Sequence, residues 1–258
     1  MSQSVTWSTE RLLREAVRGI LREAAGPEKI GTLIDRLVQM NDELEGLGSL
    51  HRVGLWFETL GGEIEVGFAM ARPGGDLVSP ALGRTQARAD VGSEMLPELD
   101  RLLDSVPDGS MSSREAYDEG PDGPCLGAYI VQTTYPTTQG WGPLLYDVSM
   151  ELATELGGGL APDRARVSNS ASAVWGAYDS SRGDVQKAQL DIDLSGWPED
   201  ETRPVQLTPD DPTDDCRQAH TWKEAGEGWH RLPLSRAYRK APEAVNRLRR
   251  LGLLWEAE

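Results

Sequence analysis

The chain has 258 residues, 38% of them apolar, and its 42 acidic against 26 basic side chains leave a formal charge of −16. That length buries a real core, so intrinsic disorder is excluded, and the acidity works against nucleic acid and anionic membranes as partners. No run reaches the roughly 18 apolar residues of a spanning helix, so the partner expected is basic or neutral and no membrane is involved.

Met1 to Gln3 is not followed by a basic and then apolar leader, which places the expected site of action in a cytoplasm, or in something assembled there. Only Cys125 and Cys216 are present. They read as reduced thiols, with a single bridge left open.

In chain order, the first element is an amphipathic helix. Leu12, Leu13, Ala16, Val17, Ile20, Leu21 and Ala24 share one face, Ser8 or Thr9 can cap it, and Gly26-Pro27 stops it. A second helix is predicted over Glu28 to Leu47, so residues 1–50 read as a helical hairpin. From Arg52 the period changes to two: Val53, Leu55 and Phe57, a Gly61-Gly62 turn, then Ile64, Val66 and Phe68 make a β-hairpin. Arg72 to Val91, with Pro73, Gly74, Gly75, Pro80 and Gly83, reads as a loop. A short helix follows near Met95 to Leu103, and then a polar segment from Pro107 to Pro124.

The middle is more informative. Cys125 to Tyr135 is rich in β-formers and predicts a strand, Pro136 to Gly142 a loop, and Pro143 to Leu156 a helix burying Leu144, Leu145, Val148, Leu152 and Leu156. Gly157-Gly158-Gly159, the short apolar Leu160-Ala161 and a helix from Asn169 to Ser180 come next. Between Asp191 and Asp215 fall nine acids, one arginine and four prolines, which reads as a solvated excursion. Residues 231–250 then carry seven basic side chains against Glu243 alone, and read as a basic helical end that neutralises the excursion. The domains implied are 1–50, a core over 51–190, and 191–258 packing on that core. The fold class is α+β, a mixed sheet flanked by helices.

A loop that leaves a strand and opens a helix leaves backbone N–H groups unpaired at the positive end of the helix dipole, which suits phosphate. In Thr137-Thr138-Gln139-Gly140-Trp141-Gly142 the glycines allow close backbone approach, and Pro143 occupies a first-turn position where it loses no hydrogen bond. There is neither a G-x-G-x-x-G fingerprint nor a Gly-Lys-Ser/Thr P-loop. The run resembles the acyl-coenzyme A loop of the GNAT superfamily of N-acetyltransferases, Gln/Arg-x-x-Gly-x-Gly/Ala, matching at Gly140 and Gly142 and departing at Thr137. Downstream, Gly159-Leu160-Ala161 and Val167 through Trp175 are similar to the family's strand and helix near the cofactor thiol, with Trp175 where tyrosine is usual. The stretch from Cys125 to Leu190, including Asp163-Arg164, resembles a divergent branch of that superfamily found in tailed bacteriophages.

The resemblance implies a GNAT-like splayed central sheet with the pantetheine arm along the Cys125–Tyr135 strand, and acetyl-CoA as co-substrate. It implies that Thr133, Thr137, Thr138, Gln139, Gly140, Trp141, Gly142 and Trp175 line the cofactor. Transfer to an amine needs a base and an acid. Tyr178 is the candidate acid, with a packed core tyrosine as the alternative. Glu119 is the candidate base, with Asp118, Tyr129 or a water as substitutes. The acceptor is an amine, on a protein or a small molecule. The competing expectation is a structural or adaptor protein of a phage particle that keeps a degenerate form of the fold and meets other virion proteins through its N-terminal helix; Thr137 and Trp175 motivate it. Cys216, His220 and His230 lack the second tight pair of a zinc site, so no metal is expected. The tryptophans read as core anchors.

Overall fold

The computed structural model describes residues 27–115, 127–135, 137–138, 140–162, 167–189 and 233–257. The helix expected before Gly26, the acidic excursion, and Cys125, Cys216, His220 and His230 lie outside these residues. Within them, six helices and nine strands follow in order: α1 (Pro27–Gly46), β1 (Arg52–Leu60), β2 (Glu63–Ala71), β3 (Leu77–Val78), α2 (Pro80–Asp90), α3 (Leu96–Leu103), β4 (Ser110–Glu115), β5 (Tyr129–Thr134), α4 (Gly142–Leu156), β6 (Leu160–Ala161), α5 (Asn169–Ser181), β7 (Val185–Gln189), β8 (Arg236–Lys240), α6 (Glu243–Leu251) and β9 (Leu254–Glu256).

The strands form one mixed sheet in the order β7-β8-β6-β5-β4-β2-β1-β9, with β3 paired to β2. The fold is α+β. The β1–β2 hairpin is antiparallel from Arg52↔Ala71 to Leu60↔Glu63, and its inward residues Val53, Leu55, Phe57, Ile64, Val66 and Phe68 are the alternating set the sequence predicts. β5 and β6 are parallel, and the intervening α4 supplies the crossover that a parallel pair requires.

The helices bury their apolar stripes in one continuous core on one face of this sheet. Leu33, Ile34, Leu37 and Leu44 of α1 and Leu144, Leu145, Val148 and Leu152 of α4 belong to it. Ala128, Ala161, Ala188 and Ala237 form a separate small cluster, and strand alternation puts it on the opposite face. Asn41 fastens α1 to the sheet: its side-chain amide donates to the Val53 carbonyl at 2.9 Å and its oxygen accepts the Val53 amide at 2.7 Å. His51 does the same for α2, with Nδ1 2.9 Å from Asp90 and Nε2 3.0 Å from Gln86.

Three segments differ from the sequence reading. The supposed loop after Arg72 contains β3 and α2, whose start is fixed by the Ser79 hydroxyl accepting the Leu82 amide and by Pro80 in the first turn. The polar segment after Pro107 contains β4, which lies between β2 and β5 in the sheet. The basic end is not wholly helical: Arg236 to Lys240 form β8, set between β6 and β7, with Tyr238 in the core. Its cations meet acids of the folded body. Arg236 pairs with Asp179, Arg247 with Asp35, and Arg249 with Glu155.

Gly159 leads into β6 at φ +95°, and a Cβ there would sit 2.5 Å from the Tyr238 carbonyl oxygen. Gly159→Ala should therefore cost about 2 kcal/mol or more in urea unfolding, from both the left-handed backbone and the clash; an unchanged midpoint would count against this packing of β6 on β8.

Candidate functional site

The glycine loop leaves the end of β5 and turns at Gly140, whose φ of +86° favours glycine. It is braced by the segment before β4. The Thr138 amide donates to the Asp108 carbonyl at 3.2 Å, the Asp108 amide donates to the Thr138 hydroxyl at 3.0 Å, and the Tyr135 amide donates to Ser110 at 2.9 Å. Trp141 is an anchor rather than an exposed wall. Only 1% exposed, its indole meets Phe68 edge-on at 5.8 Å between centroids, and the guanidinium of Arg36 on α1 covers it at 4.7 Å.

At the start of α4, Pro143 has no N–H and the Leu144 amide donates to the Trp141 carbonyl at 3.1 Å. The Gly142 amide has no acceptor among the described residues. A Cβ at Gly142 would lie 3.3 Å from the Thr137 hydroxyl, so a side chain would fill the small space between loop and helix. The anion-binding capacity is thus concentrated at Gly142, with the exposed Arg36 as the nearby cation. Arg36 has no carboxylate partner among the described residues.

β5 itself is irregular. Met111 to Ser112 pair with Thr134 and Thr133, but Ser113 pairs with Val131, so Gln132 is a bulged residue. The bulge inverts the alternation. Tyr129 and Val131 face the core, and beyond the bulge Thr134 falls on that same side, where it partly offsets the rise that burial gives the Tyr146 phenol. Thr133 therefore falls on the other face. On its second edge β5 is paired only at Tyr129↔Leu160 and Ile130↔Ala161, because Pro162 cannot continue the ladder. From Val131 to Thr134 that edge has no strand partner among the described residues, and the Gly140–Gly142 turn follows it in the chain.

Beneath α4 lies a buried ionic network. Asp147 is 0% exposed and receives the Tyr178 hydroxyl at 2.7 Å, Arg182 at 2.8 and 3.0 Å, and the Lys240 ammonium at 3.0 Å. Arg182 also bonds Asp184 at 2.6 and 2.7 Å. Lys240 reaches Glu151, whose carboxylate in turn accepts the Ala244 and Val245 amides at 3.1 and 2.7 Å and so caps α6. Burial pushes the Glu151 carboxyl up against the opposing pull of Lys240. Burial would lower Lys240 and Arg182, but their carboxylate partners outweigh it and both are raised. Burial alone would raise Asp184, yet the hydrogen bonds and charge of Arg182 hold it below the ordinary range.

The residues singled out from sequence separate into two groups. Thr137, Thr138, Gly140, Trp141 and Gly142 come together as one loop, with Thr133 a short way back along β5. Glu119 and Gln139 lie outside the described residues. Trp175 and Tyr178 are together elsewhere, in an aromatic cluster with Tyr146 and Tyr238: Trp175 stacks on Tyr238 at 5.2 Å and meets Tyr146 edge-on at 5.6 Å. Both are 3% exposed or less. Burial, then the charge of Asp147, raises the Tyr178 phenol well above its ordinary value, so its proton stays on Asp147's hydrogen bond. Sequence reasoning missed Arg36, Asp108 and Tyr146. Tyr146 had a signal, since it sits one turn into the helix that follows the glycine loop; Arg36 had none.

No group of three or more His, Cys, Asp or Glu side chains that could hold a metal ion occurs among the described residues, and none of their helices is long and apolar enough to cross a membrane. No family model, curated protein or solved structure matches the chain.

Removing one member of a buried ionic set leaves its partner charge uncompensated, at a cost of about 3–5 kcal/mol. Arg182→Met should lose stability of that order at pH 7. In the parent protein the Asp184 contribution is complete above its unfolded pKa of about 3.9 and is lost as pH falls through its lower folded value. Urea unfolding from pH 7 downward should accordingly show a shallower acid limb in Arg182→Met; parallel acid limbs would show that Arg182 does not hold Asp184 ionised.

Proposed function

We propose that the protein is an acyl-coenzyme A-dependent N-acyltransferase that moves an acetyl group to an amine. The observation that carries this reading is the β5 edge from Val131 to Thr134, without a strand partner among the described residues, followed in the chain by the Gly142 helix start, with Arg36 over the neighbouring Trp141. A pantetheine arm bears amides and can extend a sheet at a free edge as a peptide strand does. Its diphosphate end would then meet the Gly142 amide and the positive end of α4, with Arg36 adding charge from α1.

In the transfer, the neutral amine nitrogen attacks the thioester carbon, the N–C bond forms and the C–S bond breaks. The amine proton leaves to solvent or to a base, and the departing thiolate takes up a proton. Tyr146 suits the second task better than Tyr178. Burial raises its pKa, so it is protonated at neutral pH, and Thr134 at the end of that β5 edge is the side chain that opposes the rise. A second reading, an adaptor that keeps the fold without the chemistry, draws on one observation: Trp175 and Tyr178 are enclosed in the core.

Calorimetry with acetyl-CoA tests the proposal. Saturable binding is expected; Gly142→Glu should abolish it by filling the cradle with a like charge, and Arg36→Ala should weaken it by about threefold, as an exposed ion pair does. Absence of heat at sub-millimolar acetyl-CoA would refute the enzyme reading and leave the adaptor.

A further inference from the structure

A cavity of about 460 Å³ opens between the β2 end of the sheet, β3 and the segment before β4. Its exposed walls are apolar and aromatic: Trp56, Leu77 and the half-exposed Tyr135. Trp56 is placed there by a gap in the neighbouring strand. Gly67 is its register partner, and a Cβ at Gly67 would lie 2.6 Å from the indole Nε1. Asp108 is the one charged side chain among the described lining residues, and one of its oxygens is positioned by the Gly109 amide at 2.8 Å. No Lys or Arg pairs with it among the described residues. Its backbone is the same one that exchanges two hydrogen bonds with Thr138, so the cavity and the glycine loop share a wall.

A lone carboxylate in a cavity lined by Trp56 and Tyr135 attracts a cation: the carboxylate supplies the charge, an aromatic ring can add cation–π attraction, and an apolar stem fills the remaining volume. We infer that this cavity binds a primary ammonium carried on an apolar stem, such as an alkylamine or a lysine side chain, with Asp108 as its counter-charge. The inference rests on the acyltransferase reading for its meaning, as the acceptor subsite, but not for its geometry. The net acidity of the chain favours the same class of ligand.

The full chain, without coenzyme A, should be titrated calorimetrically with hexylammonium, and with hexanol and hexanoate as neutral and anionic counterparts. Hexylammonium is expected to bind about tenfold or more tightly than hexanol, and hexanoate not at all, from the charge-assisted bond to Asp108. Asp108→Asn keeps the acceptor for Gly109 and should bring hexylammonium down to the level of hexanol. Tyr135→Ala, at a side chain 57% exposed, leaves the fold alone and should weaken hexylammonium severalfold. Equal binding of hexanol and hexylammonium, or hexylammonium binding unchanged in both variants, would overturn the assignment. If acetyl-CoA fails to bind while hexylammonium binds as expected, the transferase reading fails and the ammonium site stands; the reverse outcome removes only the site.

Discussion

The arrangement depends on Asp147. Wholly buried on α4, it holds the Tyr178 hydroxyl, both outer nitrogens of Arg182 and the Lys240 ammonium, and through them the end of α5, the turn into β7, strand β8 and, by way of Glu151, the first turn of α6. These elements come from distant parts of the chain, and apolar packing alone would leave their relative positions loosely specified. A carboxylate sequestered from water must find its cations and donors in one geometry or be destabilising, so the network selects a single packing even where a hydrophobic replacement would be equally stable.

That constraint explains why α4 is a dependable platform. The body of the helix, from Tyr146 to Glu151, is tied down by the ionic network and the aromatic cluster of Trp175, Tyr178 and Tyr238. Its start, at Gly142, is left to the loop. Trp141 pins the loop between Phe68 and Arg36, and the Asp108–Thr138 pair pins it to the segment before β4. Together with the bulge at Gln132 and the stop at Pro162, this leaves, among the described residues, backbone groups of the β5 edge and of the helix start without protein partners. The cavity lined by Asp108 shares the Asp108–Thr138 brace with that loop.

The elements with strong periodicity were legible in the sequence. The α1 stripe, the β1–β2 alternation, α4 and α5 all stand where their apolar spacing puts them, except that Leu156, expected on the buried side of α4, is half exposed at the helix end. α2 was not, because it buries only Pro80, Gly83 and Ala87 and so shows no apolar stripe. β4 is built of Ser110, Met111, Ser112 and Ser113, and only its place between two other strands makes it a strand. β8 read as a basic helix because its acidic partners, Asp147, Glu151 and Asp179, lie far away in sequence. At the site, Gly140 and Gly142 could be found from local chemistry alone. Arg36 over Trp141, and the commitment of Tyr178 to Asp147, are long-range contacts that no local pattern announces, and the inversion from Thr133 to Thr134 follows from a one-residue bulge.

In the proposed function, the β5 edge and the loop after it receive an acyl-coenzyme A. Amide hydrogen exchange of the full chain with and without saturating coenzyme A reads both elements at once. Slower exchange at Val131–Thr134 and at Gly140–Gly142 is expected, since the ligand would occupy those backbone groups. Unaltered exchange there, with or without slowing elsewhere in the chain, would contradict the account.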